Sequence, residues 1–335
     1  MTDKPIILVT GGAGYIGSHA VLALRDAGYG VAVIDNLTTG FRWAVPEDVA
    51  FVEGDIEDQA LVEKWIVDQG VQAIMHFAGS IIVPESVENP LKYYHNNSVK
   101  SRALIESAVR TGVRHFIFSS TAATYGMPEE SPVSESAPKK PINPYGMSKL
   151  MTEIMLQDVS NAHDFNFCAL RYFNVAGADP LGRTGQSTAG ATHLIKVAVE
   201  AALGKRSHVS VFGTDYGTPD GTGVRDYIHV ADLARAHVLA LEALMADPAT
   251  NHILNCGYGR GFSVLEVLDA VDRVTNMTIE RRMEGRRAGD PDSLISDNRA
   301  IMDRFPWKPR YADLDQIVSH AVVWERKLSE IRGGA

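Results

Sequence analysis

Three glycines near the N-terminus constrain the fold of this chain more than any other feature. Residues 10–17 read Thr-Gly-Gly-Ala-Gly-Tyr-Ile-Gly and directly follow the apolar run 6–9. Gly11 permits a tight turn out of a strand, Gly14 lets backbone approach a pyrophosphate, and Gly17 lets a helix pack closely on a sheet. The residues that follow have helical apolar spacing. The sequence therefore predicts a strand, a glycine turn and a helix whose N-terminus can bind an anion.

A second strand ends in an acid at the spacing expected for a dinucleotide site. The apolar run 30–34 is followed by Asp35, about 20 residues past the glycine turn, where a carboxylate accepts both ribose hydroxyls. The same carboxylate repels a 2′-phosphate, which favours NAD over NADP. Two alternatives are that Asp35 only begins a turn, or that the nearby Arg42 accommodates a 2′-phosphate.

The alternation of strands and helices predicts an α/β fold with a Rossmann-type doubly wound parallel sheet. Expected strands lie at 5–10, 30–35, 49–53, 72–77, 114–119 and 165–170, and expected helices at about 15–27, 57–69, 88–111 and 145–161. Glycine-rich stretches at 177–190 and 213–223 are interpreted as loops over a binding site. We expect an NAD-binding domain (1–175 plus about 224–250) and a smaller mixed α/β substrate domain (176–223 and 251–335), with a helix capped by Ser263 and Glu266.

Composition argues against several classes of function. A net charge of −9 disfavours nucleic acid or an anionic membrane as a partner. Cys168 and Cys256 are the two cysteines, which is too few for a disulfide framework, and none of the 11 histidines has metal-ligand spacing. We therefore expect no metal. No apolar run approaches about 18 residues and no signal peptide is recognisable, so a cytoplasmic location is expected.

The residues expected to do chemistry lie after the strand at 114–119. Ser119-Ser120-Thr121 ends that strand, and Asn143 and Pro144 are a typical N-cap and first residue of a helix. Tyr145 then lies in the first turn, and Lys149 shares its face. A tyrosine at a helix N-terminus beside an ammonium has a physical reason to ionise more easily. The helix terminus, Lys149 and a bound nicotinamide cation together would lower its pKa from the usual value of about 10. A Tyr-x-x-x-Lys pair alone is usually a packed surface pair, but after the glycine turn and the Ser-Ser-Thr strand end it predicts a catalytic acid/base group.

Together these motifs resemble the extended short-chain dehydrogenase/reductase superfamily and, within it, the UDP-glucose 4-epimerases. The resemblance covers about residues 5–325. It also rests on His76-Phe77-Ala78-Gly79 and on Arg171-Tyr172-Phe173-Asn174. Its most specific blocks are Asp220-Gly221-Thr222-Gly223-Val224-Arg225-Asp226-Tyr227-Ile228-His229-Val230 and Arg287-Ala288-Gly289-Asp290.

The resemblance implies an NAD-dependent isomerase acting on UDP-glucose and UDP-galactose. Tyr145 would take the proton of the sugar 4-OH while C4 gives a hydride to NAD, and the 4-keto sugar would take it back on its other face. Thr121 would relay the proton, and Lys149 would also hold the nicotinamide ribose. Implied cofactor-binding residues are Gly11, Gly14, Tyr15, Ile16, Gly17, Asp35, Asn36, Asp55, Ile56, Phe77, Ala78, Gly79, Asn96, Ser119, Tyr145, Lys149 and Tyr172. Implied substrate-binding residues are Thr121, Tyr145, Asn174, His193, Leu194, Phe212, Arg225, Arg287, Asp290 and Leu294.

The chain departs from its relatives at two positions and differs from related enzymes of other activity at two more. Ile81 stands where many relatives have a lysine that contacts the cofactor, which bears on how tightly NAD is retained. His193 stands where several have asparagine, and a satisfied loop histidine is the alternative interpretation. Related dehydratases place an Asp-Glu pair, and decarboxylases a glutamate, where this chain has Ala122 and Ala123. That difference favours simple oxidation and return at C4.

Substrate range and assembly are the least constrained. Leu294 flanks the implied sugar pocket, where a tyrosine would exclude N-acetyl groups and a small residue would admit them. Its intermediate size predicts glucose and galactose as the principal sugars, with weak acceptance of the N-acetylated pair. Alternatives are an epimerase of UDP-N-acetylglucosamine or a UDP-pentose, or a non-catalytic NAD-binding regulator. Relatives pair through the helices at 88–111 and 145–161, so the resemblance implies a homodimer.

Overall fold

Strands and helices alternate along the chain in the computed structural model, which describes residues 4–287 and 289–333. The strands are β1 (Ile6–Thr10), β2 (Gly30–Asp35), β3 (Ala50–Glu53), β4 (Val71–His76), β5 (His115–Thr121), β6 (Asn166–Tyr172), β7 (Asn174–Ala176), β8 (Val209–Phe212), β9 (Val224–His229), β10 (His252–Cys256), β11 (Gly261–Ser263), β12 (Arg281–Glu284) and β13 (Ser293–Leu294). The helices are α1 (Tyr15–Asp26), α2 (Gln59–Gln69), α3 (Val83–Glu88), α4 (Pro90–Tyr93), α5 (Lys100–Thr111), α6 (Pro144–Ala162), α7 (Leu194–Ala202), α8 (Val230–Ala246), α9 (Val264–Thr275), α10 (Arg299–Arg304) and α11 (Leu314–Gly333). Ala288 of the Arg-Ala-Gly-Asp block lies outside the described residues.

Seven parallel strands form the central sheet in the order β10-β6-β5-β4-β1-β2-β3. Ile7, Leu8 and Val9 of β1 are fully buried, as expected for a strand covered on both faces. The strand order reverses between β1 and β4, and ligands of such sheets bind at the carboxyl ends beside that point. The predicted doubly wound α/β fold is confirmed, and its six predicted strands agree with the structure within two residues.

One predicted helix is not continuous. The segment 88–111 contains α4 and α5, separated by a π-helical turn at Tyr94–Val99. The side chain of Asn97 in that turn accepts a hydrogen bond from Ser80 N at 2.7 Å, and its amide donates to Ser80 O and to Ser148 Oγ, both at 3.0 Å. The wider turn thus ties the loop after β4 to α6, and π turns of this kind are frequent at functional sites.

A smaller unit follows β6 and contains two short sheets. In one, β9 pairs with β7, β11 and β13, and in the other β8 pairs with β12. Helices α7, α9 and α11 enclose a core that includes Val199, Val267 and Ile317. The predicted capping box of Ser263 and Glu266 at the start of α9 is confirmed.

Two strands lie on the other side of the predicted domain boundaries. β10 is the edge strand of the large sheet, where it pairs in parallel with β6. Leu254 and Cys256 of β10 pack into the same core as the residues of β6. β9 belongs to the smaller sheet, where Tyr227 packs into the core of the smaller unit while its neighbour Ile228 packs into that of the large sheet. Within residues 4–287 and 289–333, none of the helices combines the length and apolar character needed to cross a bilayer.

Candidate active site

The glycine turn between β1 and α1 leaves almost no room for side chains. Gly11 has a φ of +70°, and a Cβ on it would lie 2.6 Å from Ala78 N. A Cβ on Gly17 would lie 2.1 Å from Gly11 O, so α1 rests directly on the turn. Gly14 is the N-cap of α1, and among the described residues no side chain caps this end and no acid lies in the first turn. These residues fit a dinucleotide diphosphate, because first-turn N–H groups face outward beside a close backbone approach.

Asp35 lies at the end of β2 beside this turn. Its Oδ2 accepts a hydrogen bond from Ala13 N at 2.9 Å, and its Oδ1 accepts one from Leu37 N at 2.8 Å. Burial raises the pKa of the Asp35 carboxyl, and the two N–H groups oppose that rise. Arg42 donates to a carbonyl of its own turn at 2.8 Å and lies 4.7 Å from the Phe51 ring centroid, which commits its guanidinium to this loop. The arrangement favours a cofactor with a free 2′-hydroxyl.

Asn36 and Asp55 follow neighbouring strands, and their side chains are in contact. Asn36 Nδ2 donates to Asp55 Oδ2 at 3.1 Å, and Lys100 Nζ donates to the same oxygen at 2.5 Å. Burial disfavours ionisation of Asp55, but hydrogen bonds from Lys100, Glu57 N and Asn36 keep its pKa below the ordinary value. Ile56 beside it is buried. A charged acceptor therefore stands next to Asn36 at the edge of the site.

The residues after β4 lie against the glycine turn. Phe77 N donates to Thr10 O at 3.0 Å, and a Cβ on Gly79 would lie 3.7 Å from Lys149 Nζ. Asn96, predicted to contact the cofactor, donates its amide to Ser80 Oγ at 2.8 Å. Its neighbour Asn97, which sequence reasoning missed, is the residue that fixes the Ser80 backbone. The Asn96-Asn97 pair was the signal in the sequence, but the sequence does not show which of the two side chains turns inward.

Thr121 and Tyr145 lie on elements that approach each other closely. A Cβ on Gly146, in the first turn of α6, would lie 2.5 Å from Ala123 O in the 3-10 turn Ala122–Tyr125. Thr121 Oγ1 accepts a hydrogen bond from Ala123 N at 3.1 Å, which leaves the hydroxyl proton available to Tyr145. Burial raises the pKa of Tyr145, and the hydrogen bond with Thr121 opposes the rise. In the protein alone, removal from water outweighs the stabilising contact. The predicted depression of this pKa also depends on the charge of a bound nicotinamide and stays a prediction.

Lys149 is buried and turned toward the end of β5. Its Nζ donates to Ser119 O at 3.0 Å and lies 5.0 Å from the Phe118 ring centroid. Burial lowers the pKa of Lys149 to about 8. The Ser119 hydroxyl is hydrogen-bonded to the Tyr172 hydroxyl, so Ser119, Lys149 and Tyr172 form one polar group behind Tyr145.

Comparisons with known proteins agree with this geometry. The model of the NAD dependent epimerase/dehydratase family matches residues 7–257. The chain belongs to this family. A UDP-glucose 4-epimerase of Azospirillum brasilense is 52% identical over 339 residues, covering 100% of this chain and 97% of its own. The crystal structure of UDP-glucose 4-epimerase from Brucella ovis in complex with NAD has 44% identity and a TM-score of 0.92, covering 95% of this chain and 98% of its own. The UDP-Glc/GlcNAc 4-epimerase from Campylobacter jejuni has 47% identity and a TM-score of 0.85, covering 96% and 99%.

The predicted substrate residues of this epimerase/dehydratase family member form two groups. Arg225 Nη2 donates to Asp290 Oδ1 at 2.7 Å, and the Arg287 guanidinium lies 3.7 Å from the Phe212 ring centroid. A second group, Asn174, His193 and Leu194, lines a small cleft that is partly open to solvent. The first group presents two arginines at one edge of the smaller unit, a suitable arrangement for phosphate oxygens.

Leu294 connects the substrate side to the catalytic group. It pairs in register with Arg225 in the smaller sheet. On its other side it packs against the cluster of Ala122, Tyr125 and Val133, of which Ala122 directly follows Thr121. The position predicted to flank the sugar is therefore half-buried between the arginine strand and the catalytic strand end.

His193 has a partner that sequence reasoning missed. Gln186 Nε2 lies 2.7 Å from His193 Nδ1, and burial lowers the pKa of His193. The ring is therefore neutral at pH 7 and oriented by a buried amide. Cys168 and Cys256 are buried free thiols. No cluster of metal-ligating side chains is found in residues 4–287 and 289–333, and the expectation of no metal stays a prediction.

Proposed function

We propose that this protein is an NAD-dependent UDP-glucose 4-epimerase, an isomerase that interconverts UDP-glucose and UDP-galactose. The observation that carries the proposal is the group of Thr121, Tyr145 and Lys149 beside a glycine turn suited to a dinucleotide. Full-length similarity to UDP-glucose 4-epimerases at 52% identity supports it. Bound NAD would supply the redox chemistry, accepting a hydride from C4 of the sugar and returning it to the other face.

The chain's own residues would hold the cofactor and move the proton. Gly11, Gly14 and Gly17 would bind the diphosphate, and Asp35 the ribose hydroxyls. Tyr145 would accept the proton of the 4-OH, with the Thr121 hydroxyl bridging the sugar oxygen and the tyrosine as a relay. The Ala123 N–H supports this role, because it donates a hydrogen bond to Thr121 Oγ1. The hydroxyl proton of Thr121 is therefore free to be donated to Tyr145.

The nucleotide end of the substrate would bind on the smaller unit. Arg225 and Arg287 would hold the diphosphate, with Asp290 keeping Arg225 oriented through their 2.7 Å contact. Asn174 and His193 would complete this side of the pocket. We also propose a division into an NAD-binding domain and a substrate-binding domain. The NAD-binding domain includes β10 and the substrate-binding domain includes β9.

Elimination chemistry is disfavoured by the residues after Thr121. Removing water from a sugar needs an acid for the leaving hydroxyl and a base for the carbon-bound proton. Ala122 is buried and Ala123 uses its backbone to bind Thr121, and neither has a side chain that can transfer a proton. Oxidation and return at C4 need no further acid or base, so this site supports epimerisation.

The sugar range is proposed to be glucose and galactose with weak acceptance of their N-acetylated forms. The relative from Campylobacter jejuni, named for both UDP-Glc and GlcNAc, is 47% identical. Leu294 at the sugar pocket is smaller than a tyrosine and larger than alanine or cysteine. An epimerase of the N-acetylated sugars is therefore the second candidate.

We also propose a cytoplasmic homodimer. Apolar residues of the predicted helix 88–111, such as Leu104 and Ile105, pack into the core against the large sheet, so they do not themselves support pairing. Other residues do: Leu91, Val99 and Ile154 are exposed on neighbouring faces of α4, the π turn and α6. Light scattering at micromolar concentration should give twice the chain mass, and a monomeric mass would refute the pairing.

The decisive test of function is incubation of the purified protein with UDP-galactose, without added NAD and then with it, followed by analysis of the product sugars. Tyr145→Phe keeps the ring and deletes the proton acceptor, so turnover should fall by about 10²–10⁴-fold. Tyr94→Phe, a half-buried tyrosine outside the site, is the matched control. Near-normal turnover in Tyr145→Phe would contradict the proposed mechanism. A wild-type protein that binds NAD but forms no product would favour a non-catalytic NAD-binding regulator.

A further inference from the structure

A buried ion pair lies directly behind the proposed catalytic group. Glu153 is on α6, four residues after Lys149 and eight after Tyr145, so the three side chains project from one face. Arg171 is on β6, in register with Ser120 of β5. Arg171 Nε donates to Glu153 Oε1 at 2.9 Å and Nη2 donates to Oε2 at 2.5 Å. The side chains are 2% and 3% exposed, so a two-point ion pair is sealed inside the protein.

Further hydrogen bonds join this pair to every element of the catalytic group. Ser120 Oγ, beside the proton relay, donates to Glu153 Oε1 at 2.5 Å. Arg171 Nη1 donates to the Tyr125 hydroxyl at 3.0 Å, at the end of the 3-10 turn after Thr121. Tyr125 in turn donates to Asn255 Oδ1 of β10 at 2.7 Å. The network therefore connects α6, the end of β5, the 3-10 turn and the edge strand of the large sheet.

Stability alone does not account for these charges. Taking two charges out of water is costly, and replacing a buried pair by apolar residues of similar volume is often neutral or stabilising. Burial opposes the charge of Arg171, but contacts with Glu153 and Tyr125 keep its pKa above the ordinary value. What the ion pair supplies in addition is fixed geometry, because a guanidinium and a carboxylate joined at two points allow little rotation.

We propose that Glu153 and Arg171 are positioning residues that set the separation between the Tyr145 and Thr121 oxygen atoms. They act through α6 and Ser120 and not on the sugar itself. The inference rests on the proposed function, since it assigns these residues to the same proton transfer. Misplacement of a reacting group by about 1 Å can cost about 100-fold in rate, which sets the expected scale.

The main test is the double variant Glu153→Met/Arg171→Met, which removes both charges together and keeps the volume. We expect kcat to fall about 100-fold, while KM for UDP-galactose, the affinity for UDP and the Tm stay close to wild type. The acidic limb of the kcat pH profile should move to higher pH, because a weaker Thr121 contact leaves the Tyr145 pKa higher. A folded double variant with kcat within about threefold of wild type would overturn the proposal.

A second variant and a control separate positioning from folding. Arg171→Lys keeps the charge but loses the fork and the reach to Tyr125, so we expect kcat to fall about 10-fold with KM unchanged. Wild-type kcat in this variant would also contradict the proposal. The control is Arg281→Met/Asp272→Met, which removes a partly buried pair with a 2.6 Å contact in the smaller unit, and it should leave kcat unchanged. Epimerase activity of the wild type and its loss in Tyr145→Phe test the proposed function separately. A failure of the positioning hypothesis is therefore distinguishable from a failure of the proposed function.

Discussion

Lys149→Met should stabilise the protein at neutral pH while abolishing turnover. The ammonium is buried, and its pKa of about 8 lies below the ordinary value of 10.5. At about 1.4 kcal/mol per pKa unit, holding this charge in the folded state costs about 3 kcal/mol at pH 7. Methionine fills similar space without the charge but gives up the hydrogen bond to Ser119 O, worth about 1 kcal/mol. The net gain in the free energy of unfolding should be about 2 kcal/mol.

The pH dependence identifies the cause of this gain. The unfolded chain keeps a proton on Lys149 up to about pH 10.5, whereas the folded protein releases it near pH 8. Between these values the unfolded state binds more protons, so the wild type becomes more stable as pH rises. The advantage of Lys149→Met should therefore shrink by about 2 kcal/mol between pH 7 and about pH 9.5.

Urea unfolding at both pH values, on protein stripped of nucleotide by unfolding and refolding, measures the difference. Lys64→Met is the matched control, because Lys64 is an exposed lysine of α2 that bonds Asp68 four residues on. It should change stability little at either pH. Destabilisation by Lys149→Met at pH 7, or a gain that does not change with pH, would refute the reasoning.

Two further substitutions address the cofactor. Asp35→Ala removes the acceptor proposed for the ribose hydroxyls and should weaken NAD binding about 10-fold or more, while NADP, whose 2′-phosphate the carboxylate repels, should lose less affinity. Fluorescence titration measures both, and unchanged NAD affinity would contradict the assigned role. Ile81→Lys restores the lysine of related enzymes at a position where the side chain is 52% exposed. The fraction of NAD retained after gel filtration should rise, and unchanged retention would show that Ile81 does not control it.

The features that could be predicted from the sequence are those determined by residues close together along the chain. The glycine turn needs backbone conformations that glycine supplies, and Gly11 takes a positive φ there. The Asn143 side chain caps α6 by accepting from Gly146 N at 2.8 Å, which fixed the helix start and with it the place of Tyr145. The central strands are apolar runs bounded by turns, so their limits follow from the sequence.

The parts that sequence missed depend on contacts between distant residues. The Asn97 π turn is explained by a loop 17 residues earlier, and Tyr125 finds Asn255 130 residues away. The pKa values of ionisable groups also depend on contacts that local sequence does not show. The helix position of Tyr145 favours a lower pKa, whereas burial, which only the packed structure defines, raises the pKa of this tyrosine. Local pattern located the chemical groups, and the tertiary environment decided their properties.

Leu294→Tyr should separate the two candidate sugar classes. Leu294 already packs against buried Ala122, Tyr125 and Val133, so a tyrosine ring has little space on that side and must extend toward the sugar pocket. A bulky wall excludes a larger group far better than a roomy pocket rejects a smaller one. The substitution should therefore abolish turnover of UDP-N-acetylglucosamine and leave the glucose–galactose reaction within a few-fold.

Leu294→Ala is the complementary variant. It enlarges the same space, so it should raise turnover of the N-acetylated substrate without improving the glucose–galactose reaction. Product analysis with both substrates measures the ratio of the two kcat/KM values directly, and this ratio is insensitive to a general loss of stability that lowers both activities together. If Leu294→Tyr reduces the two reactions in parallel, or changes neither, then Leu294 packs between the strands without controlling which sugar enters.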